Sequence, residues 1–196
     1  MKLILASNSP RRRELLAGLD LPFEVKVLDG IDESYPDDIQ PEEIAQYIAQ
    51  KKADAYSVSR DEIIITADTI VLLGNQILGK PRDAQQARQM LSSLSGKTHR
   101  VITGVVVRDY DKQKAFSVVS EVTFKHLKEE EIDYYISHYR PFDKAGAYGI
   151  QEWIGYIGVQ SLHGSYFNVM GLPVQRIYDV LVNDFEINKS FINKNN

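Results

Sequence analysis

The chain has 196 residues, 43% of them apolar and 26% charged, with a formal net charge of −4 and no cysteine. That length suits one large domain or two closely joined lobes, and it is ample for a sizeable core. The acidic balance argues against a nucleic-acid binder relying on a global positive field, and the missing cysteines exclude disulfides, thiolate nucleophiles and cysteine-bound metals.

The stretch "LILASNSPRRRELLAGL" comes first. "KLILAS" reads as a short buried strand, Ser9 as an N-cap and Pro10 as the first helical residue. Leu15, Leu16 and Leu19 continue with helical spacing. Arg11, Arg12 and Arg13 load positive charge onto a helix end that is already positive. An anion bound there would relieve the cost, as phosphates do at helix starts; otherwise the three side chains point into water.

"FEVKVL" predicts a second strand, and "DGIDESYPDDIQ" an acidic loop containing Asp32 and Glu33. "PEEIAQYIAQKKADAYSV" has helical spacing at Ile44, Ala45, Ile48 and Ala49 and carries Lys51 and Lys52. "EIIITADTIVLLG" predicts a buried strand with a polar interruption, and "NQILGKP" a return hairpin. "DAQQARQMLSSLSG" is a helix with Asp83 as N-cap and Gly96 past its end. "HRVITGVVVRDYD" and "KAFSVVSEVTFKHL" predict a long antiparallel hairpin. After a helix at "KEEEIDYYISHY" comes a glycine-bearing loop, "RPFDKAGAYGIQE". More strand and turn is expected in "YIGVQSLHGSYFNVMGLP", then a final helix in "VQRIYDVLV". The expected organisation is one domain over 1–185 and a polar tail over 186–196. No apolar run approaches bilayer-spanning length and no signal peptide is apparent, so a cytoplasmic protein with no membrane or nucleic-acid partner is expected.

Asp68 interrupts a run rich in β-branched residues. Aspartate is disfavoured inside strands and costly to bury unpaired, so a metal ion, a lysine or a water must satisfy it, unless it bonds turn N–H groups at a strand end. Thr69 beside it offers a hydroxyl or is simply a β-branched strand residue. Lys80 lies in a rigid turn between Gly79 and Pro81. With Lys52, Glu33 and the arginine-bearing helix start, these residues resemble the parts of a phosphoryl-transfer site with a divalent ion. Taken singly, the lysines and Glu33 read as solvated surface. The histidines at 99, 126, 138 and 163 show no metal-binding spacing, which argues against zinc. No P-loop, GxGxxG or GxSxG motif is present. Gln151 carries a donor and an acceptor that match the adjacent N–H and C=O of a uracil or thymine ring, and that equally match two backbone groups.

"SNSPRRRELL", "ADTIVLL", "LGKPRDA", "LSGKTHRVITGV", "DKAGAYGIQ" and "GSYFNVMGLP" together, in order, resemble the Maf family of nucleotide pyrophosphatases. The resemblance runs from about Lys2 to near Leu181. It implies an α/β fold with an elongated mixed sheet flanked by helices, two lobes and a central cleft, like the inosine-triphosphate pyrophosphatases. It also implies hydrolysis of nucleoside triphosphates to monophosphate and pyrophosphate with a divalent cation, Mg2+ or Mn2+. By the resemblance Asp68 is the proton acceptor, and Arg12, Thr69 and Gln151 carry the combination of the branch that acts on dTTP and UTP. Ser7, Arg11, Lys52 and Lys80 line the substrate site, and Glu33 with Asp68 faces the metal; "GIDESYP" leaves Asp32 and Glu33 both open as the loop acid. A sister branch acting on 7-methyl-GTP and a non-catalytic role in cell division are the competing implications. The resemblance also admits a homodimer, which no sequence feature demands.

Overall fold

Residues 1–187 are described in this computed structural model. β1 (Lys2–Leu5), α1 (Pro10–Ala17) and β2 (Phe23–Val25) are followed by α2 (Ile44–Asp54), β3 (Glu62–Leu73), β4 (Gln76–Leu78) and α3 (Ala84–Leu94). The second half holds β5 (Thr98–Arg108), β6 (Gln113–Phe124), α4 (Glu129–Tyr139), α5 (Trp153–Gly158), β7 (Val159–His163), α6 (Tyr166–Met170) and α7 (Val174–Asn183). Local chemistry sets several of these ends. Ser9 Oγ accepts from the Arg12 N–H at 3.4 Å and Asp83 Oδ1 from the Gln86 N–H at 2.8 Å, so both expected N-caps are made.

The strands form one mixed sheet in the order β2-β1-β3-β5-β6-β7, with β4 folded back on the end of β3. β1 pairs in parallel with β2 and β3, whereas β3, β5, β6 and β7 are successively antiparallel. Helices flank the sheet, as the sequence implied. β2 is shorter than "FEVKVL" suggested, because its partner β1 ends at Leu5 and the chain then leaves the sheet. Val27 and Leu28, freed from pairing, are 37% and 39% exposed. The stretch read as strand and turn before the last helix also contains the end of α5 and all of α6. At six and five residues these helices are too short to display a helical period. α6 is fixed instead by its ends: Ser165 Oγ accepts from the Asn168 N–H, and Gly171 at φ +116° closes it. From residue 188 onward the expected polar tail lies outside the described residues.

Two cores divide the sheet lengthwise. Ile63, Ile65, Ala67, Val105 and Val107 pack with α1 and α7. Val71, Val101, Val122 and Phe124 pack with α3, α4 and α5. Thr69 lies between Ala67 and Val71 on β3, and its β5 neighbour Thr103 lies between Val101 and Val105. The polar interruption in β3 is therefore where the strand crosses from one lobe to the other. On the opposite face α2 packs Ile44, Ala45 and Ile48 against Ile70, Leu72 and Ile102. Gly104, opposite Asp68 in the β3–β5 register, permits this approach: a Cβ there would sit 2.4 Å from the Ala45 carbonyl carbon.

Candidate active site

A cleft of about 700 Å3 opens where the two lobes meet. That size is within the range of small-molecule sites, roughly 300–1,000 Å3. Ser7, Arg11, Arg12, Glu33, Lys52, Asp68, Thr69, Lys80 and Gln151, all singled out from the sequence, line this one cleft. They arrive from the loop after β1, α1, the loop after β2, α2, β3, the turn after β4 and the loop before α5. The fold thus collects residues separated by up to most of the chain.

Asp68 is satisfied by a lysine. Lys52 Nζ lies 2.8 Å from Asp68 Oδ1 and 2.9 Å from Glu33 Oε1, with its side chain only 14% exposed. Burial acts to raise the Glu33 carboxyl, but its bond to Lys52, with Lys80 and Arg12 nearby, holds it below the ordinary value. The two acids of the loop point in different directions. Asp32 faces away from the cleft, pairing with Lys51 at 2.8 Å and bonding Ser34, while Glu33 turns inward. Lys80 sits exposed at the rim and makes no ion pair with a described residue.

The three arginines have three different fates. Arg13 is exposed and absent from the cleft lining. Arg11 spans the cleft to Asp143 Oδ2 at 2.8 Å. Arg12 points into the protein, donating to the Gly171 carbonyl at 2.8 Å, the Ala67 carbonyl at 2.7 Å and Thr69 Oγ1 at 3.0 Å. Burial lowers its pKa against the pull of Asp68, and the guanidinium remains charged. These bonds fix the guanidinium while leaving its other N–H groups for a ligand.

Two hydroxyls stand behind Arg12. Thr69 Oγ1 and Thr103 Oγ1 share a 3.0 Å bond, with the Asn168 carbonyl 3.2 Å from Thr103 and the Gly171 carbonyl 3.5 Å from Thr69 as further acceptors. In either arrangement of the hydroxyl hydrogens Thr69 offers a lone pair to Arg12. Thr69 thus acts on the site by holding Arg12 in place.

The opposite wall is the loop from Asp143 to Gln151. Lys144, its side chain 9% exposed, lies 2.8 Å from Asp143 Oδ1 and 3.1 Å from Glu152 Oε1. Although burial acts to raise the Asp143 carboxyl, its bonds to Lys144 and Arg11 lower it to about 2. Tyr148 lines the cleft with its hydroxyl 2.6 Å from His99 Nε2. Gly146 and Ala147 both have positive φ, at +70° and +61°, and Gly146 donates to the Gly79 carbonyl at 3.1 Å. That bond joins the Gln151 loop to the Lys80 turn. Gln151 Oε1 is buried with no hydrogen-bond partner among the described residues, an acceptor awaiting a donor. Asp143, Lys144, Tyr148 and Thr103 were not identified from the sequence. The first three lie inside "DKAGAYGIQ", where the Asp–Lys pair itself was the available signal.

The donor set fits a divalent cation held in part by substrate. Among the described residues no three histidine or acidic side chains gather into a complete cage. Glu33 and Asp68 nevertheless offer two hard carboxylates, brought together by their shared contact with the Lys52 ammonium. Magnesium sites built from one or two carboxylates plus substrate phosphates have this composition.

The family model described as Maf-like protein matches residues 2–183. A dTTP/UTP pyrophosphatase of Phocaeicola vulgatus is 62% identical over 182 residues, covering 92% of this chain and 94% of that protein. One of Parabacteroides distasonis is 57% identical over the same shares. One of Flavobacterium psychrophilum is 48% identical over 93% of this chain and 94% of that protein. A crystal structure of a nucleoside-triphosphatase / dITP/XTP pyrophosphatase from Mycobacterium abscessus superposes with a TM-score of 0.43 at 13% identity, over 95% of this chain and 97% of that one, a likeness too distant to rest anything on. With a family model spanning residues 2–183 and relatives more than half identical along nearly all of it, the chain belongs to the Maf family.

Proposed function

We propose that this protein is a nucleoside triphosphate pyrophosphatase that hydrolyses dTTP and UTP to the monophosphate and pyrophosphate in the cytoplasm. The observation that carries the reading is the Glu33–Lys52–Asp68 cluster in a cleft whose far wall holds the unpartnered Gln151 acceptor. The names of relatives up to 62% identical support the same substrates.

In this reading the triphosphate lies against Arg12, Lys52 and Lys80, whose charges match its own. Water bound at Asp68 attacks the α-phosphorus, a bond forms from water oxygen to phosphorus, and the bond from phosphorus to the α–β bridging oxygen breaks. Asp68 takes the water's proton, with Lys52 on Oδ1 orienting the carboxylate and leaving Oδ2 for that water. Pyrophosphate departs toward the cations. No covalent nucleophile is needed, because phosphoryl transfer depends on positioning and charge stabilisation. Glu33 and Asp68 would hold Mg2+ or Mn2+, which supplies further charge neutralisation on the phosphates. Gln151 Oε1 accepts from the base N3–H, and its amide N–H groups donate to a ring carbonyl, a pairing that uracil and thymine offer.

The test is a nucleotide panel with Mg2+ or Mn2+, separating pyrophosphate from orthophosphate release, run beside Asp68→Asn. Pyrophosphate release chiefly from dTTP and UTP, lost in the variant, is the expected result. Preference for 7-methyl-GTP would move the chain to a purine-directed activity, and binding without turnover would make it a nucleotide sensor.

A further inference from the structure

Gln151 is carried by a short turn, and that turn is tied from behind by a side chain that never reaches the cleft. The Glu152 N–H donates to the Gly149 carbonyl at 3.0 Å, closing four residues with Gln151 third. Tyr135, on the buried side of α4 and 0% exposed, sets its hydroxyl against both ends of this turn. It accepts from the Gly149 N–H at 3.0 Å and donates to Glu152 Oε2. Burial and the facing Glu152 carboxylate raise the phenol pKa, so the hydroxyl keeps its hydrogen and the polarity of both bonds is fixed.

Glu152 is anchored in turn. Its Oε1 meets Lys144, Lys144 meets Asp143, and Asp143 meets Arg11 at the start of α1. The turn is therefore referenced to the lobe that holds Arg12. Gly149 completes the arrangement, since a Cβ there would stand 3.0 Å from Gln151 Nε2 and 3.0 Å from the Glu152 carboxyl carbon. The Gln151 amide lies against bare backbone on one side, with its Oε1 unpartnered. Neither Tyr135 nor Glu152 lines the cleft, so any effect they have on substrate passes through the turn.

We propose that Tyr135 and Glu152 are specificity-determining positioning residues, which fix the direction of the Gln151 amide by tying Gly149 to Glu152 through one hydroxyl. The proposal rests on the reading of Gln151 as the group that pairs with a pyrimidine. With the tie cut, the turn keeps only its own backbone bond, and the amide no longer presents its donor and acceptor in one fixed direction. The phosphate contacts of Arg12 and Lys52 and the Asp68 step are untouched, because those three residues belong to the other wall.

The test compares Tyr135→Phe, Glu152→Ala and Glu152→Gln with the unaltered protein and with Gln151→Ala. Steady-state kinetics are measured on UTP, dTTP and GTP, with GTP as a competing inhibitor if its turnover is too slow, and melting temperature is recorded for each variant. Tyr135→Phe and Glu152→Ala are expected to raise KM for UTP and dTTP by about five- to tenfold, the cost of an ordinary hydrogen bond. Their kcat stays within about twofold and GTP recognition is unchanged, so the pyrimidine-to-purine ratio falls by that same factor. Glu152→Gln, which still offers Tyr135 an acceptor, restores most of the ratio. An equal loss on all three nucleotides, or an unchanged ratio in both Tyr135→Phe and Glu152→Ala, would overturn the proposal. If Gln151→Ala collapses the ratio and those variants do not, the positioning role alone fails. If Gln151→Ala itself leaves the ratio intact, the base-reading assignment fails with it.

Discussion

His99 offers a quantitative test of how dry the wall beside the cleft is. It lies on β5 at 1% exposure, with Nε2 bonded to Tyr148 and Nδ1 buried without a partner. Phe124 and Tyr148 enclose its ring at centroid distances of 5.4 Å. Burial pushes its pKa down from 6.5 to about 4. As pH falls, the unfolded chain therefore takes up this proton before the folded one does. Stability is complete above 6.5, declines as pH drops through 6.5, and stops declining on this account near pH 4. Those two values give a loss of about 2 kcal/mol at pH 5 and a limit of about 3 kcal/mol. The depressed carboxyls Glu33 and Asp143 contribute in the same direction only nearer their unfolded values of 4.5 and 3.8. Urea unfolding at pH 7.5 and 5.0, for the protein and for His99→Leu, isolates the effect. The variant starts lower by about 1–2 kcal/mol, having lost the Tyr148 bond. Its further loss on acidification should be smaller than that of the unaltered protein by about 2 kcal/mol. Equal losses in the two proteins would refute the claim that His99 is held neutral by burial.

Gly104→Ala should cost about 3 kcal/mol in denaturant unfolding, at the upper end for overpacking, because the atoms a Cβ would strike at 2.4 Å are α2 backbone. It should also lower kcat, since α2 carries Lys52. Thr103→Val removes the hydroxyl that holds Thr69 in place; we expect KM for dTTP to rise about tenfold through a loosened Arg12, at a stability cost of about 1 kcal/mol by thermal melting. Lys52→Met leaves Glu33 and Asp68 facing one another without their shared ammonium. Initial rates should show kcat down about 100-fold or more, and the acid limb of the pH–rate profile should move upward as the Glu33 carboxyl loses its main stabiliser.

Much of the fold was legible because its elements are long. The twelve-residue β3 and the β5–β6 hairpin are long and carry many β-branched residues, and α3 announces both ends through Asp83 and Gly96. α5 and α6 were not legible, being too short for a period and defined by contacts made only after folding. The candidate site divides in the same way. Asp68 stood out because a carboxylate inside an apolar strand demands a partner, and Lys52 is that partner. The destiny of Arg12 could not be read locally, since the carbonyls it grips belong to Ala67 and Gly171, 55 and 159 positions away. Asp32 and Glu33 are adjacent and chemically alike, so only the course of the loop distinguishes the outward acid from the inward one. Tyr135 is fully buried core, and its hydroxyl matters only where the 149–152 turn meets α4.

The most direct test of the central claim is hydrolysis of dTTP in 18O-labelled water, followed by mass spectrometry of both products. Water directed by Asp68 at the α-phosphorus places the label in dTMP and leaves pyrophosphate unlabelled, and Asp68→Asn should abolish this incorporation. Label in pyrophosphate or in free orthophosphate would mean attack at the β- or γ-phosphorus and would contradict the assignment of this cleft.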